Sequence, residues 1–223
     1  MAVLTISNEN TEAVLTVKNG YLYNWYAIDN ASNIANTGWH VPTYLEWQAL
    51  QTYLGGDTVA GGKMKETGFT YWNSPNTGAT NEVGLNVKGS GYRDDDLGGV
   101  FADIKGRAEM WSANSWFSAK LICDPRDNGI TAYLTSCNEE RGASIRLMKD
   151  STTLSHGETG LYTGNDGKVY RTICVGTQEW LADNLMETLY RDASPIPVIT
   201  DNSAWVADST GARCVYDNDE NNA

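Results

Sequence analysis

The side chains with the clearest capacity for chemistry are four thiols, Cys123, Cys137, Cys174 and Cys214, and two imidazoles, His40 and His156. A hydroxyl or thiol nucleophile needs a base within hydrogen-bond reach, and a zinc module needs closely spaced Cys and His ligands. No Cys-x-x-Cys occurs, and neither histidine has a suggestive neighbour. His40, in Trp39-His40-Val41-Pro42, reads as a packed, hydrogen-bonded side chain, and His156 as a solvated one in a polar connector. Separate thiols are expected, with one disulfide open in an oxidising medium; Cys123 and Cys137 are the pair that could touch between adjacent strands. Asp94-Asp95-Asp96 and Asp217-Asn218-Asp219-Glu220 offer oxygen atoms to calcium. The second run lacks glycine at the sixth loop position and glutamate at the twelfth, and both read as solvated acidic loops. No catalytic residue, metal or cofactor is assigned, and an enzyme is not expected.

The 223 residues allow one large domain or two small ones, and 41% hydrophobic content is enough for a core. Sixteen basic against twenty-eight acidic residues give a net charge of -12, which excludes the electrostatic footprint of a nucleic-acid binder. No apolar run approaches the roughly 20 residues of a membrane span, and the first residues lack the pattern of a signal peptide. Eight Trp and twelve Tyr against three Phe favour rings that bury area while keeping a polar handle, as half-buried binding surfaces do.

Elements to position these residues can be read along the chain. Residues 3–6 and 13–17 are strand-like, a short hairpin or an arm for assembly. The aromatic run Tyr21-Leu22-Tyr23-Asn24-Trp25-Tyr26 reads as a strand. Thr43 and Glu46 form a capping box, Trp47, Leu50 and Leu54 make one helical face, and Gly55-Gly56 ends that helix. Asp57 is expected to cap a second, short helix over 59–66. Residues 71–106 are loop-rich, and a stretch of that length inside a domain is usually functional. Segments 110–113, 119–123, 130–134 and 143–148 then read as an antiparallel meander. Residues 168–175 alternate as a strand, 203–207 make a helical turn, and the tail 217–223 is expected to be mobile.

Several motifs, in order, resemble the Fibrobacter succinogenes major paralogous domain family. They are Leu22-Tyr23-Asn24-Trp25-Tyr26-Ala27, Gly38-Trp39-His40-Val41-Pro42, Gly55-Gly56, Asn76-Thr77-Gly78-Ala79-Thr80-Asn81, Gly91-Tyr92-Arg93, Trp111-Ser112 and Gly142-Ala143-Ser144-Ile145-Arg146-Leu147. The resemblance implies an α+β, C-type-lectin-like fold with two small antiparallel sheets, two main helices and long loops. Asp166-Gly167-Lys168-Val169-Tyr170, Gly176-Thr177-Gln178-Glu179-Trp180-Leu181-Ala182-Asp183-Asn184-Leu185 and Pro195-Ile196-Pro197 look like the beginning of that family, here placed after its end. The chain therefore reads as circularly permuted, since domain termini commonly lie close together. Residues 1–18 are an arm for a homotrimer or other homo-oligomer, and 19–223 one domain. Within it, 19–150 is the usual C-terminal part, 151–164 a connector and 165–223 the usual N-terminal part. Exposing Trp180, Trp205 and the Val169/Ile173 face would leave a costly apolar patch, which favours one closed domain over two halves.

The family also resembles variable proteins of diversity-generating retroelements, many from phages, whose variable stretch lies between a Trp-Ser strand and the closing Gly-x-Ser-x-Arg strand. The matching segment is 113–141. If Ala119 and Leu121 face the core, Lys120 and Ile122 face outward. The ligand-binding candidates are Trp116 and Phe117 as aromatic anchors, Lys120, Ile122, Ser136 and Cys137 beside them, and Glu139, Glu140 and Arg141 as charges that set specificity, with Tyr92 near the same face. Arg93 is expected to pair with the carboxylates at 94–96. The implied function is non-enzymatic binding of a host-cell surface protein or glycan by a phage tail-fibre adhesin on the virion or outside the cell. The alternatives are a secreted bacterial surface module for polysaccharide or matrix, and an oxidase related to the formylglycine-generating enzymes. No nucleic acid and no membrane insertion are expected.

Overall fold

The computed structural model describes residues 14–94, 96–113, 118–123 and 132–223. In chain order they form β1 (Leu22–Tyr23), α1 (Trp25–Asp29), β2 (Trp39–His40), α2 (Tyr44–Tyr53), α3 (Asp57–Met64), β3 (Ser90–Arg93), β4 (Phe101–Ile104), β5 (Ala108–Trp111), β6 (Ser118–Cys123) and β7 (Ala132–Cys137). Then follow β8 (Met148–Lys149), β9 (Thr159–Thr163), β10 (Val169–Val175), β11 (Gln178–Leu181), α4 (Asn202–Ala207), β12 (Arg213–Cys214) and two 3-10 turns. The class is α+β. One five-stranded sheet runs β2-β8-β11-β10-β9, a second runs β4-β3-β5-β6-β7, and β1 and β12 make a separate ribbon. Strands β3 and β5 pair in parallel, an addition to the expected antiparallel sheets.

The capping box forms as its spacing requires: the Thr43 hydroxyl accepts from the Glu46 amide, and the Glu46 carboxylate accepts from the Thr43 amide at 2.7 Å. Gly55 and Gly56 then turn the chain at φ of 106° and 94°, which L side chains rarely adopt. Gly56, not Asp57, occupies the cap position of α3. Two strand expectations fail, the first for a local reason. The aromatic run is β only at Leu22–Tyr23; Asn24 then caps α1 through its side chain, which accepts from the Ala27 amide at 3.3 Å. Residues 143–148 pair through single bridges, Ala143 with Tyr23 and Ser144 with Met110, before β8 begins. Much of the long 71–106 stretch is pinned rather than loose. Trp72 is buried with its indole N–H donating to the Val87 carbonyl, and the Asn76 amide donates to the Glu66 and Gly68 carbonyls.

Residues 165–223 and 19–150 build one core. Strands β10 and β11 lie in the same sheet as β2 and β8, and the Trp180 ring packs on that of Trp47 at 4.7 Å. Trp180 and Trp205 are wholly buried. The tail, expected to be mobile, is tied down: the Ala223 carbonyl accepts from the Lys18 amide at 3.1 Å and the Asn222 carbonyl from the Asn19 amide at 3.3 Å. Residues 14–18 also lie on the body. The Leu15 amide donates to the Val169 carbonyl at 2.7 Å, and Val17 is buried. The remainder of the expected assembly arm, 1–13, falls outside the described residues.

A buried ion pair joins the two parts. The Lys88 ammonium donates to Asp183 at 3.1 Å and to the Val17 carbonyl at 2.5 Å. Burial opposes the Asp183 charge, but Lys88, Arg146 and Arg171 outweigh it and hold the carboxyl below its usual range. A carboxyl with a depressed folded pKa contributes stability above its unfolded value of about 3.9 and loses it as pH falls through the folded value. Lys88→Met leaves that carboxylate buried with one cation fewer, an expected cost of about 3 kcal/mol near neutral pH. Urea unfolding as a function of pH checks this: the loss caused by the substitution should shrink as the solution is acidified below about pH 4.

Candidate surface for ligand contact

Of the sequence candidates, Lys120, Ile122, Ser136 and Cys137 lie on the β6–β7 hairpin and Glu139 and Glu140 in the turn after it. Strands β6 and β7 are the last two of their sheet. Register pairs Ser118 with Cys137, Lys120 with Thr135, Leu121 with Leu134 and Ile122 with Tyr133, while Leu121 also pairs with Met110 of β5. Residues opposite one another in a ladder share a face, and neighbours along a strand alternate. Positions 118, 120, 122, 133, 135 and 137 therefore occupy one face of the hairpin. Positions 119, 121, 134 and 136 occupy the other, in line with Met110, which is buried in the core that α2 and α3 help to build. Register places positions 120 and 122 on the face opposite to Met110, the face they share with Trp111 and Glu109 of β5. Ser136, across from Ala119, falls on the helix side, so the two-residue period separates it from the candidates it was grouped with. Trp116 and Phe117 lie outside the described residues.

The foot of the hairpin is locked. Trp111, at the end of β5, is fully buried; its indole N–H donates to the Tyr23 carbonyl at 2.7 Å and its carbonyl accepts from the Trp47 indole at 3.1 Å. On the return side, the Glu139 carbonyl accepts from the Trp25 amide at 2.8 Å and the Glu140 carbonyl from the Trp205 indole at 2.6 Å. Their carboxylates remain partly exposed and share the Tyr26 hydroxyl, which donates at 3.2 Å. Burial and the two carboxylates push that hydroxyl up to about 12. Tyr26 belongs to this surface and was missed, because its run reads as a strand rather than as the helix that turns its ring toward the hairpin. Cys137 is partly buried and packs on the core.

Arg141 and Tyr92 differ from expectation. The Arg141 guanidinium is buried, holds Glu109 through two hydrogen bonds of 2.7 and 3.2 Å, reaches Asp94 at 3.4 Å and lies 3.9 Å from the Tyr92 ring centre. It is a strut beneath the surface, not a charge upon it, since a fully buried Glu109 demands a paired cation. Tyr92 is buried in the same stack, where burial, then Asp103, raises its hydroxyl. Arg93 ignores the neighbouring carboxylates. Wholly buried, it donates to the carbonyls of Gly99, Ile199 and Thr200 and to the Asn202 side chain. Asp94 also accepts from the Leu97 amide at 2.7 Å.

The other chemical candidates do not gather here. Cys123 and Cys137 sit at opposite ends of the hairpin, paired with Ala132 and Ser118, so they are not cross-strand neighbours. Both His40 nitrogens are engaged, with Asp150 at 2.6 Å and Glu46 at 3.1 Å. His156 accepts from the Gly176 amide at 3.2 Å and lies edge-on to Tyr53. Among the described residues, no group of three or more His, Cys, Asp or Glu could hold a metal ion, and no helix is long and apolar enough to cross a membrane.

Comparison with known proteins places the chain in a family. Nothing matches the chain among curated proteins or among solved structures. The family model of the Fibrobacter succinogenes major domain matches residues 3–149, well over half of the chain. The chain belongs to the Fibrobacter succinogenes major domain family.

Proposed function

We propose that the chain is a non-enzymatic receptor-binding domain that presents the β6–β7 hairpin and the turn after it to a host-cell surface protein or glycan. Its setting is the tip of a phage tail fibre, on the virion, with the segment 113–141 diversified by a retroelement. The observation that carries the reading is the contrast at the hairpin's foot. Trp111, Glu109 and Arg141 are buried and locked into the core, whereas β7 is the outermost strand of its sheet. A scaffold fixed on both sides of a hairpin lets the residues between change without loss of the fold, as loops on rigid frames do in other binders. The frame itself is a permuted, C-type-lectin-like domain, a reading supported by the contact between residues 18–19 and 222–223.

Trp116→Ala combined with Phe117→Ala tests the contact surface. Removing two desolvated aromatic anchors should weaken binding of the purified chain to host cells by about 30-fold or more. Thermal melting should move by less than about 3 °C, the shift expected of a change under about 1 kcal/mol. Binding equal to that of the parent would remove this segment as the contact site. Diversification has its own test: a near-copy of the DNA for residues 113–141, differing at adenines, beside a reverse transcriptase gene. A genome without that copy contradicts it.

A further inference from the structure

A cleft of about 370 Å³ opens between residues 14–17 and the body of the domain, lined also by Glu66, Tyr71, Asn86, Lys88, Arg171 and Asp183. That volume suits a small ligand. The floor of the cleft is ionic and already balanced. Asp183 accepts from Lys88 at 3.1 Å and from Arg171 at 3.0 Å, and the Glu66 carboxylate lies 4.0 Å from Lys88. Among the lining residues two cations face two carboxylates, with Arg146 acting on both carboxylates from outside the lining, so the lining itself carries no net charge to select an ion of one sign.

Hydrogen-bonding capacity, by contrast, is left over. Among the described residues, the Tyr71 hydroxyl has no hydrogen-bond partner, the Glu66 carboxylate accepts no hydrogen bond, and the Asn86 side-chain amide uses its oxygen but donates nothing. Arg171 spends one nitrogen, Nη2, on Asp183 and keeps Nε and Nη1. The Arg171 and Glu66 side chains are 53% and 29% exposed, whereas Lys88 and Asp183 beneath them are 7% and 6% exposed. The Lys88 ammonium also sits 4.7 Å from the centre of the Tyr71 ring, which fixes the ring at the wall.

We propose that this cleft is a second binding site, separate from the hairpin, for a neutral polyhydroxylated ring of monosaccharide size. A hydroxyl both donates and accepts. A vicinal pair can therefore donate to Glu66 while accepting from the Arg171 guanidinium, and a third hydroxyl meets Tyr71 or the Asn86 amide. A carboxylate ligand would face Glu66 and Asp183, and an amine would face Lys88 and Arg171. The closed ion pairs below need not break to admit a sugar, and the exposed rim sets a weak affinity, on the order of millimolar.

NMR of the whole chain, following backbone amides and arginine Nε–H signals, tests this with galactose and glucose as neutral probes, glycine as a zwitterion and sodium acetate as an anion. At least one sugar should shift the Arg171 Nε–H and the amides of Asn86 and Lys88, while glycine and acetate leave them in place. Glu66→Gln and Tyr71→Phe should each weaken the sugar response by about fivefold, the cost of one lost hydrogen bond. Tyr71→Phe keeps the ring beside Lys88, so it reports binding even if the glutamine variant folds poorly. No response to either sugar, a response to glycine or acetate instead, or a sugar response unchanged in both variants would overturn the proposal.

Discussion

Replacing Arg93 with methionine is expected to destabilise the fold by about 4 kcal/mol, because the loss leaves buried acceptors unpaired as well as removing a cation. Arg93 is wholly buried in β3, yet its donors reach the carbonyls of Ile199 and Thr200 and the side chain of Asn202, more than a hundred residues further along the chain. Its guanidinium also lies 4.5 Å from the Trp205 ring centre and 4.9 Å from that of Phe101. Methionine can fill the space but cannot satisfy four acceptors arranged around a planar fork. Lysine keeps the charge without the fork, and its variant should fall between methionine and the parent. Denaturant unfolding measures both. A loss below about 1 kcal/mol for methionine would mean that water replaces the guanidinium easily and that the two parts of the chain are joined by other contacts.

Trp111→Ala carries a second large effect, about 4 kcal/mol, from the cavity left by a fully buried indole. The loss includes one end of the hairpin's clamp, since the indole N–H bonds the Tyr23 carbonyl. The Trp111 carbonyl that accepts from Trp47 remains as backbone. Trp111→Phe should recover part of the packing while still lacking the N–H, so the difference between the two variants separates volume from hydrogen bonding. Calorimetric melting of both checks the magnitude.

Local patterns in the sequence were legible where the physics is local. Thr43 and Glu46 define the start of α2 through two reciprocal hydrogen bonds, and Gly55-Gly56 defines its end. The order β5-β6-β7 follows from strand-forming runs. Reading failed where long-range partners decide. Arg141 and Arg93 look like surface charges because arginine usually is one; only Glu109, Asp94 and a set of carbonyls from the far end of the chain make their burial tolerable. The tail 217–223 has the composition of a loose end, and nothing local announces that Lys18 and Asn19 hold it. Tyr26 was hidden by a propensity conflict: aromatic residues favour strands, but the Asn24 cap starts a helix one residue later. Within the candidate surface, the pairing register of β6 and β7 decides which positions share a face, and a single sequence does not contain that register.

The most direct measurement is the thermal stability of a library in which positions 116, 117, 120 and 122 are randomised together while Trp111, Glu109, Cys137 and Arg141 are kept. A hairpin that serves as an interchangeable contact surface on a locked foot should yield mostly folded variants, melting within about 5 °C of the parent. A library in which most members unfold, as if those positions were part of the core, would contradict the account.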